Sequence, residues 1–294
     1  MITSLQSSSF TVKVDSLGAQ LSSLALDGRE YLWQGDPKWW PRRAPILFPI
    51  VGSLRGGQAV SEAGPCRMGR HGLARNLEHT ILRQSTDSVL YELVSSAETL
   101  RQYPYPFRLQ MCYRILKPGT LETRFSVTNT GTLPLPFVVG GHPAFQVPVG
   151  QASGEAFTDY SLHFSQEMTC SSPMLAETDG LLDFSRRVPV LNHAAVLPLR
   201  HSLFDHDALV LEKVPDRTVT LRGGKSGYGV RLDFADFAYL GIWSPAGEAP
   251  FVALEPWTGC STATDEDDCL AHKRGMRLLP VGETAEYAFT ITVF

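Results

Sequence analysis

The sequence has little of what marks the common specialised chemistries. Its five cysteines, Cys66, Cys112, Cys170, Cys260 and Cys269, are odd in number, widely spaced and contain no C-x-x-C pair. Reduced thiols in the cytoplasm are therefore the simpler expectation. The opening MITSLQSSSFTVKVDSLGAQ has no positively charged segment leading into an apolar one, so no secretory signal is visible. No apolar run reaches the roughly 18–20 residues that cross a bilayer. The net charge is −4 without a long basic or acidic run, which argues against nucleic acid or an anionic membrane surface and favours a neutral small molecule as partner. H-E-x-x-H, G-x-x-x-x-G-K-[ST] and G-x-S-x-G are all missing, so zinc-peptidase, P-loop and serine-hydrolase chemistry have no motif to rest on. Nor is there a short-period repeat, a low-complexity linker or a composition break, and residues 1–294 are expected to form a single domain.

What is present is a turn-rich globular composition, 43% hydrophobic and 19% charged with 25 Gly and 20 Pro. Apolar and polar residues alternate with the period of a strand along most of the chain. SFTVKVD, AQLSSLALDG and REYLWQ read as an antiparallel opening, LEHTILRQ and SVLYELVSS as a hairpin, and RLQMCYRILKPGTLETRFSVTNTG as two strands about a Lys117-Pro118-Gly119 turn. RTVTLRG, YGVRLDFADFAYLGIWSP, FVALEPW, RLLPV and EYAFTITVF continue the pattern to the end. Helix is expected only near 97–103, capped by Ser95 or Ser96, and near 264–272. Between 146 and 204 the pattern weakens, YSLHFSQ alone reads clearly as a strand, and a long surface excursion is expected. SLFDHDALVLEKV reads as a strand with Asp205, Asp207, Leu209 and Leu211 on one face.

Two stretches are built alike. In FVVGGHPAF, residues 137–145, alternation puts Val138, Gly140, His142 and Ala144 on one face, a mostly small one that leaves room for a ligand. Pro143 pushes His142 towards extended geometry at a strand end. In FVALEPWTG, residues 251–259, the same logic aligns Phe251, Ala253, Glu255 and Trp257, placing a carboxylate between aromatic rings that suit the C–H faces of a sugar. A histidine and a carboxylate facing one pocket can act as acid and base without a cofactor. WWPRRAPILFPIVGSLRGG, residues 39–57, reads as an irregular pocket lining, with Arg42 and Arg43 as candidate donors. RHGLARN, residues 70–76, puts His71 and Arg75 on one face if extended. His71, His142 and Glu255 lack the local spacing of common metal sites, and no metal is expected.

The ordered set RAPILFPIVG, HGLARN, YPYPF, GGHPAF, DHDALVL, LEPWTG and KRGMRLLPVGE, spread over nearly the whole chain, resembles the aldose 1-epimerase (galactose mutarotase) family in its compact bacterial subgroup. The resemblance implies an all-β fold, a large, mostly antiparallel β-sandwich of the supersandwich type. It also implies an isomerase that interconverts α and β anomers of a sugar without a cofactor, with His142 as general acid, Glu255 as general base and His71 as a sugar-hydroxyl ligand or electrostatic helper. Asp207 matches the substrate-binding aspartate, with Asp205 as the competing alignment, and Arg43, Arg75 and Trp257 complete the expected binding set. Where the family's FPIVG stretch is followed by arginine, this chain has Ser53, so a hydroxyl contact is expected to be missing unless Arg43 or Arg75 supplies a donor from another direction. Two rivals use the same residues differently: a carbohydrate-binding module without turnover, and a glycoside hydrolase with Asp207 and Glu255 as paired carboxylates.

Overall fold

Antiparallel ladders carry the chain almost from end to end. The computed structural model describes residues 1–151, 154–176 and 180–294. Nine strands form the largest sheet, in the order Leu182–Pro198, Tyr160–Leu175, Thr218–Gly223, Gly229–Asp233, Thr284–Val293, Thr120–Asn129, Phe107–Lys117, Ser88–Val94 and Thr80–Gln84. A second sheet is built around Phe251–Trp257, which pairs with Tyr239–Trp243 on one side and with Gly140–Gly141 and Ala144–Gln146 on the other. Leu209–Leu211 and Ile46–Leu47 form its edges. The opening strands Ile2–Ser7, Phe10–Asp15, Gln20–Leu26 and Arg29–Glu30 form a third sheet.

The alternation explains how the two large sheets meet. Along Phe107–Lys117 the residues Phe107, Leu109, Met111, Tyr113 and Ile115 are buried while those between them reach solvent. Together with Phe125, Val127, Phe289 and Ile291 they share one apolar cluster with Val139, Phe145, Val252 and Leu254 of the second sheet. Between the sheets, a Cβ on Gly141 would stand 2.8 Å from the Phe289 ring, so a larger residue there would push the layers apart. The result is a large, mostly antiparallel β-sandwich. Among the described residues no helix is long and apolar enough to cross a membrane, and all five cysteines are free.

The expected helix at 97–103 is present as Ala97–Gln102, where the Ser96 hydroxyl accepts the Thr99 N–H at 3.3 Å and Glu98 lies in the first turn. Three expectations are corrected. The excursion expected at 146–204 contains two of the longest strands, Tyr160–Leu175 and Leu182–Pro198. Their register shifts at several points between His163 and Met174, and each bulge breaks the period-2 pattern that would have revealed them. The helix expected at 264–272 is a loop with one 3₁₀ turn at Leu270–His272. Its acidic residues are drawn into side-chain pairs instead: Asp268 accepts Arg55 Nε at 2.9 Å, and Asp265 pairs with Arg274 at 2.8 Å. Finally, Leu209–Leu211 is the only strand in the segment 202–214; residues 201–204 are a 3₁₀ turn and Asp207 has φ +71°.

Candidate active site

The floor of the main cleft lies on the outer face of the second sheet, where the alternation of the two X-Pro stretches holds. Val252 and Leu254 join the main core, whereas Phe251 and Ala253 pack with Trp33 and Ala144, and Trp257 packs with Val138 and Leu47. Glu255 lies between these two outer patches and is 1% exposed; His142 is 6% exposed. The His142 N–H donates to the Pro45 carbonyl at 3.0 Å, fixing the backbone at the gap between Gly140–Gly141 and Ala144–Gln146. His142 Nε2 stands 3.3 Å from Glu255 Oε1. The imidazole stacks on Trp40, centroids 4.7 Å apart, and meets the edges of Trp243 at 5.5 Å and of His71 at 5.6 Å. One detail departs from expectation: the space over Gly140 does not serve a ligand. The Trp257 indole fills it, within 2.7 Å of where a Cβ on Gly140 would stand and 2.5 Å of one on Gly241.

Burial sets the protonation of this pair. It pulls His142 down to about 3 and pushes Glu255 well above the usual carboxylate value, so the sugar-free pair holds its proton on the carboxyl. Arg70 and Arg75 oppose the rise at Glu255, as does the nearby Trp257 indole, whose N–H nevertheless has no partner of good hydrogen-bond geometry. Among the described residues nine buried side-chain polar atoms lack a partner, and four of them belong to cleft residues: Arg75 Nε, His142 Nδ1, Glu255 Oε2 and Trp257 Nε1. Concentrated at one cleft, such orphans mark where a polar ligand is accommodated.

His71 enters from a loop. Its Nδ1 accepts the Gly52 N–H at 3.1 Å and its own N–H donates to the Gly52 carbonyl at 2.7 Å. Because Nδ1 is an acceptor, the hydrogen of the neutral ring is on Nε2. Burial, followed by the nearby His142 and the arginines, holds His71 well below its ordinary value, so it stays neutral. The loop requires Gly72, which has φ +73° and so little room that a Cβ would come within 2.3 Å of the Phe48 carbonyl oxygen. The extended reading of 70–76 is corrected here: His71 has φ +66° and Ala74–Asn76 is a 3₁₀ turn. The kink sends both His71 and Arg70 to the cleft, although adjacent residues of a strand would face opposite ways.

Around the mouth stand Trp40, Arg42, Arg70, Arg75, Asp207 and Trp243, in a cleft of about 820 Å³ counted to its open rim. Of the two aspartates, Asp207 lines it and Asp205 is exposed outside it. Arg75 and Trp257 are in place, but Arg43 is not: its Nε donates to the Gln34 carbonyl at 3.2 Å, and its neighbour Arg42 lines the cleft instead. Beside Ser53 lies Arg70, whose Nε donates to the Ser53 hydroxyl at 3.3 Å, so a guanidinium occupies this part of the cleft from a different segment. Sequence reasoning missed Arg70 and Trp243, and it reached Trp40 only through the reading of residues 39–57 as a pocket lining. Trp243 left a signal in its two-residue spacing from Gly241, which pairs with Glu255. Among the described residues no group of three or more His, Cys, Asp or Glu converges as a metal-binding set.

Fold and cleft together define a class, the mutarotase-like isomerases. The chain belongs to the aldose 1-epimerase family, whose model matches residues 1–266. It is similar to protein LacX of Lactococcus lactis subsp. lactis, 42% identical over 301 residues that cover 100% of this chain and 99% of the relative. Among solved structures it is similar to a galactose mutarotase related enzyme from Lactobacillus acidophilus, 30% identical with TM-score 0.94, covering 100% of this chain and 97% of the other. A galactose mutarotase-like protein from Lactobacillus casei is also 30% identical, with TM-score 0.89 and 100% coverage of both chains.

Proposed function

We propose that this sugar epimerase interconverts the α and β anomers of a free aldose, or of a related sugar, by acid/base ring opening and closure, with residues 1–294 acting as one unit. The observation that carries the reading is the 3.3 Å separation of His142 Nε2 and Glu255 Oε1 on the cleft floor. The anomeric hydroxyl and the ring oxygen are bonded to the same carbon, so two groups in contact with each other can reach both. Glu255 takes the proton of the C1 hydroxyl and His142 gives one to the ring oxygen. The C1–O5 bond breaks with its electrons passing to O5, an aldehyde forms at C1, and rotation about C1–C2 presents its other face. On closure O5 attacks C1 and returns its proton to His142, while Glu255 returns one to O1.

These roles need the pair ionised, whereas burial of the empty cleft favours the neutral form. One proton passing from Glu255 to His142 across the 3.3 Å contact resolves this, and sugar hydroxyls donating to the carboxylate favour the transfer. His71 Nε2–H donates to a sugar hydroxyl, Asp207 accepts at the rim, and the Trp257 and Trp40 rings take the C–H faces of the sugar. No electrons are gained or lost overall, so the route calls for no redox group. The test is polarimetry on freshly dissolved pure anomers of a panel of aldoses. Accelerated equilibration that disappears in Glu255→Gln while binding persists supports the reading; no acceleration of any sugar refutes it.

A further inference from the structure

Arg42, Arg70 and Arg75 all line the cleft, and among the described residues only two carboxyl groups, Asp207 and Glu255, line it with them. Even with both carboxyls ionised the cleft retains positive charge, and burial pushes Glu255 well above the usual carboxylate value, which works in the same direction. The three guanidinium groups are not consumed by structural pairing. Arg70 reaches Asp207 only at 3.7 Å, with the two side chains 47% and 37% exposed, a geometry that holds the pair loosely. Arg42 spends one nitrogen on the Asn76 side chain at 2.9 Å and another on the Arg75 carbonyl at 3.4 Å. The buried Arg75 Nε has no partner at all. The groups stand close enough that Arg42 and Arg70, after burial, help to draw Arg75 down to about 10. Like charges gathered at one cleft repel, and an anion placed among them removes that repulsion.

We infer that the sugar taken by this cleft carries an anionic group, a phosphate ester or a carboxylate, held by Arg42, Arg70 and Arg75. The inference rests on the sugar-epimerase reading for the sugar part and on the arginine cluster for the charge. It reverses the neutral ligand expected from the net charge of −4, because a ligand responds to the potential inside the cleft rather than to the total charge. Guanidinium forks match the planar carboxylate and the oxygens of phosphate. Arg70 lies against Ser53 and Gly180, its Nη2 2.4 Å from where a Cβ on Gly180 would stand, and its loose contact with Asp207 at 3.7 Å leaves the guanidinium able to turn to such a ligand.

The experiment compares glucose and galactose with their 6-phosphates and their uronates. Binding is read from the fluorescence of the cleft tryptophans, and turnover from the equilibration of fresh anomers. Anionic sugars should bind at least tenfold more tightly than their neutral parents, with a preference that shrinks as salt is raised. The better of the phosphate and uronate arms identifies the anion. Arg70→Gln and Arg75→Gln, checked for folding by thermal unfolding, should each reduce the charged-to-neutral ratio about tenfold. Equal affinity for charged and neutral sugars, or a ratio unchanged in both variants, overturns the inference even where turnover is strong. Anion-selective binding without turnover of any sugar upholds it while refuting the epimerase reading.

Discussion

The floor and the rim of the cleft are built by different means. Glu255 lies in a strand whose seven residues are all buried, laddered on both sides, and His142 lies at a break between two strands of the same sheet. Arg42, Arg70, Arg75 and Asp207 come from loops and a 3₁₀ turn, their side chains partly exposed and the backbone bent by positive φ at His71 and Asp207. A ladder paired on both sides cannot shift one residue without moving its neighbours, so it suits the groups that must hold a proton within reach of one carbon. Loops tolerate replacement of side chains, so they suit the groups that choose the sugar.

The sharpest test of this division is on the floor. Glu255→Gln and His142→Asn should each lower the anomerisation rate by about 10²–10⁴-fold while sugar binding changes a few-fold at most. Because the two share one proton, the double variant should lose little more than either alone, a non-additivity that stopped-flow polarimetry on all four proteins would expose. Independent, multiplying losses would mean that the floor does not act as a unit.

The pH profile separates floor from rim in another way. Below the lower pKa of the pair both groups are protonated and no base remains; above the upper one both are deprotonated and no acid remains. With His142 drawn to about 3 and Glu255 raised, kcat/KM should not decline as pH falls through 6.5, the ordinary imidazole value. A loss of rate centred on 6.5 would contradict the burial argument.

At the rim, Asp207→Asn should raise KM about tenfold, roughly 1.4 kcal/mol of binding, with kcat little changed. Asp205→Asn, outside the cleft, should leave both constants alone. His71→Asn should fall between floor and rim and alter rate and binding together.

An effect on stability rather than on rate concerns a histidine that is buried but away from the cleft. His79 is 2% exposed and drawn to about 4 by burial, so between pH 6.5 and about 4 the unfolded chain binds a proton there that the folded one does not. Stability therefore falls as pH falls through that window, by about 1.4 kcal/mol per pH unit for this group. His79→Gln should flatten the slope of denaturation free energy against pH by that amount while leaving the pH–rate profile unchanged.

Much of this was legible in the residues. The face assignments of 251–257 hold along an unbroken ladder, and those of 137–145 hold although the strand is interrupted at 138–139 and 142–143. The helix at 97–102 was readable from its cap. The two long strands Tyr160–Leu175 and Leu182–Pro198 were not, because bulges break their pattern and much of them is half exposed, so burial does not write an apolar face into them. The choice of Arg43 over Arg42 failed for a related reason: alternation has no meaning in a proline-broken segment, and the direction of each side chain there is set by what its backbone packs against.

By itself the sequence determined an all-β chain and, through two X-Pro stretches of matching pattern, a histidine at a strand end and a glutamate on a strand between aromatic residues. Only the tertiary structure decided that those strands belong to one sheet with His142 and Glu255 3.3 Å apart, that Trp257 fills the space over Gly140, and that Arg42, Arg70 and Arg75 share one rim. The physical reason is that side-chain direction within a strand is a local property of the pleat, whereas convergence depends on sheet order and loop path, which contacts far apart in the chain select.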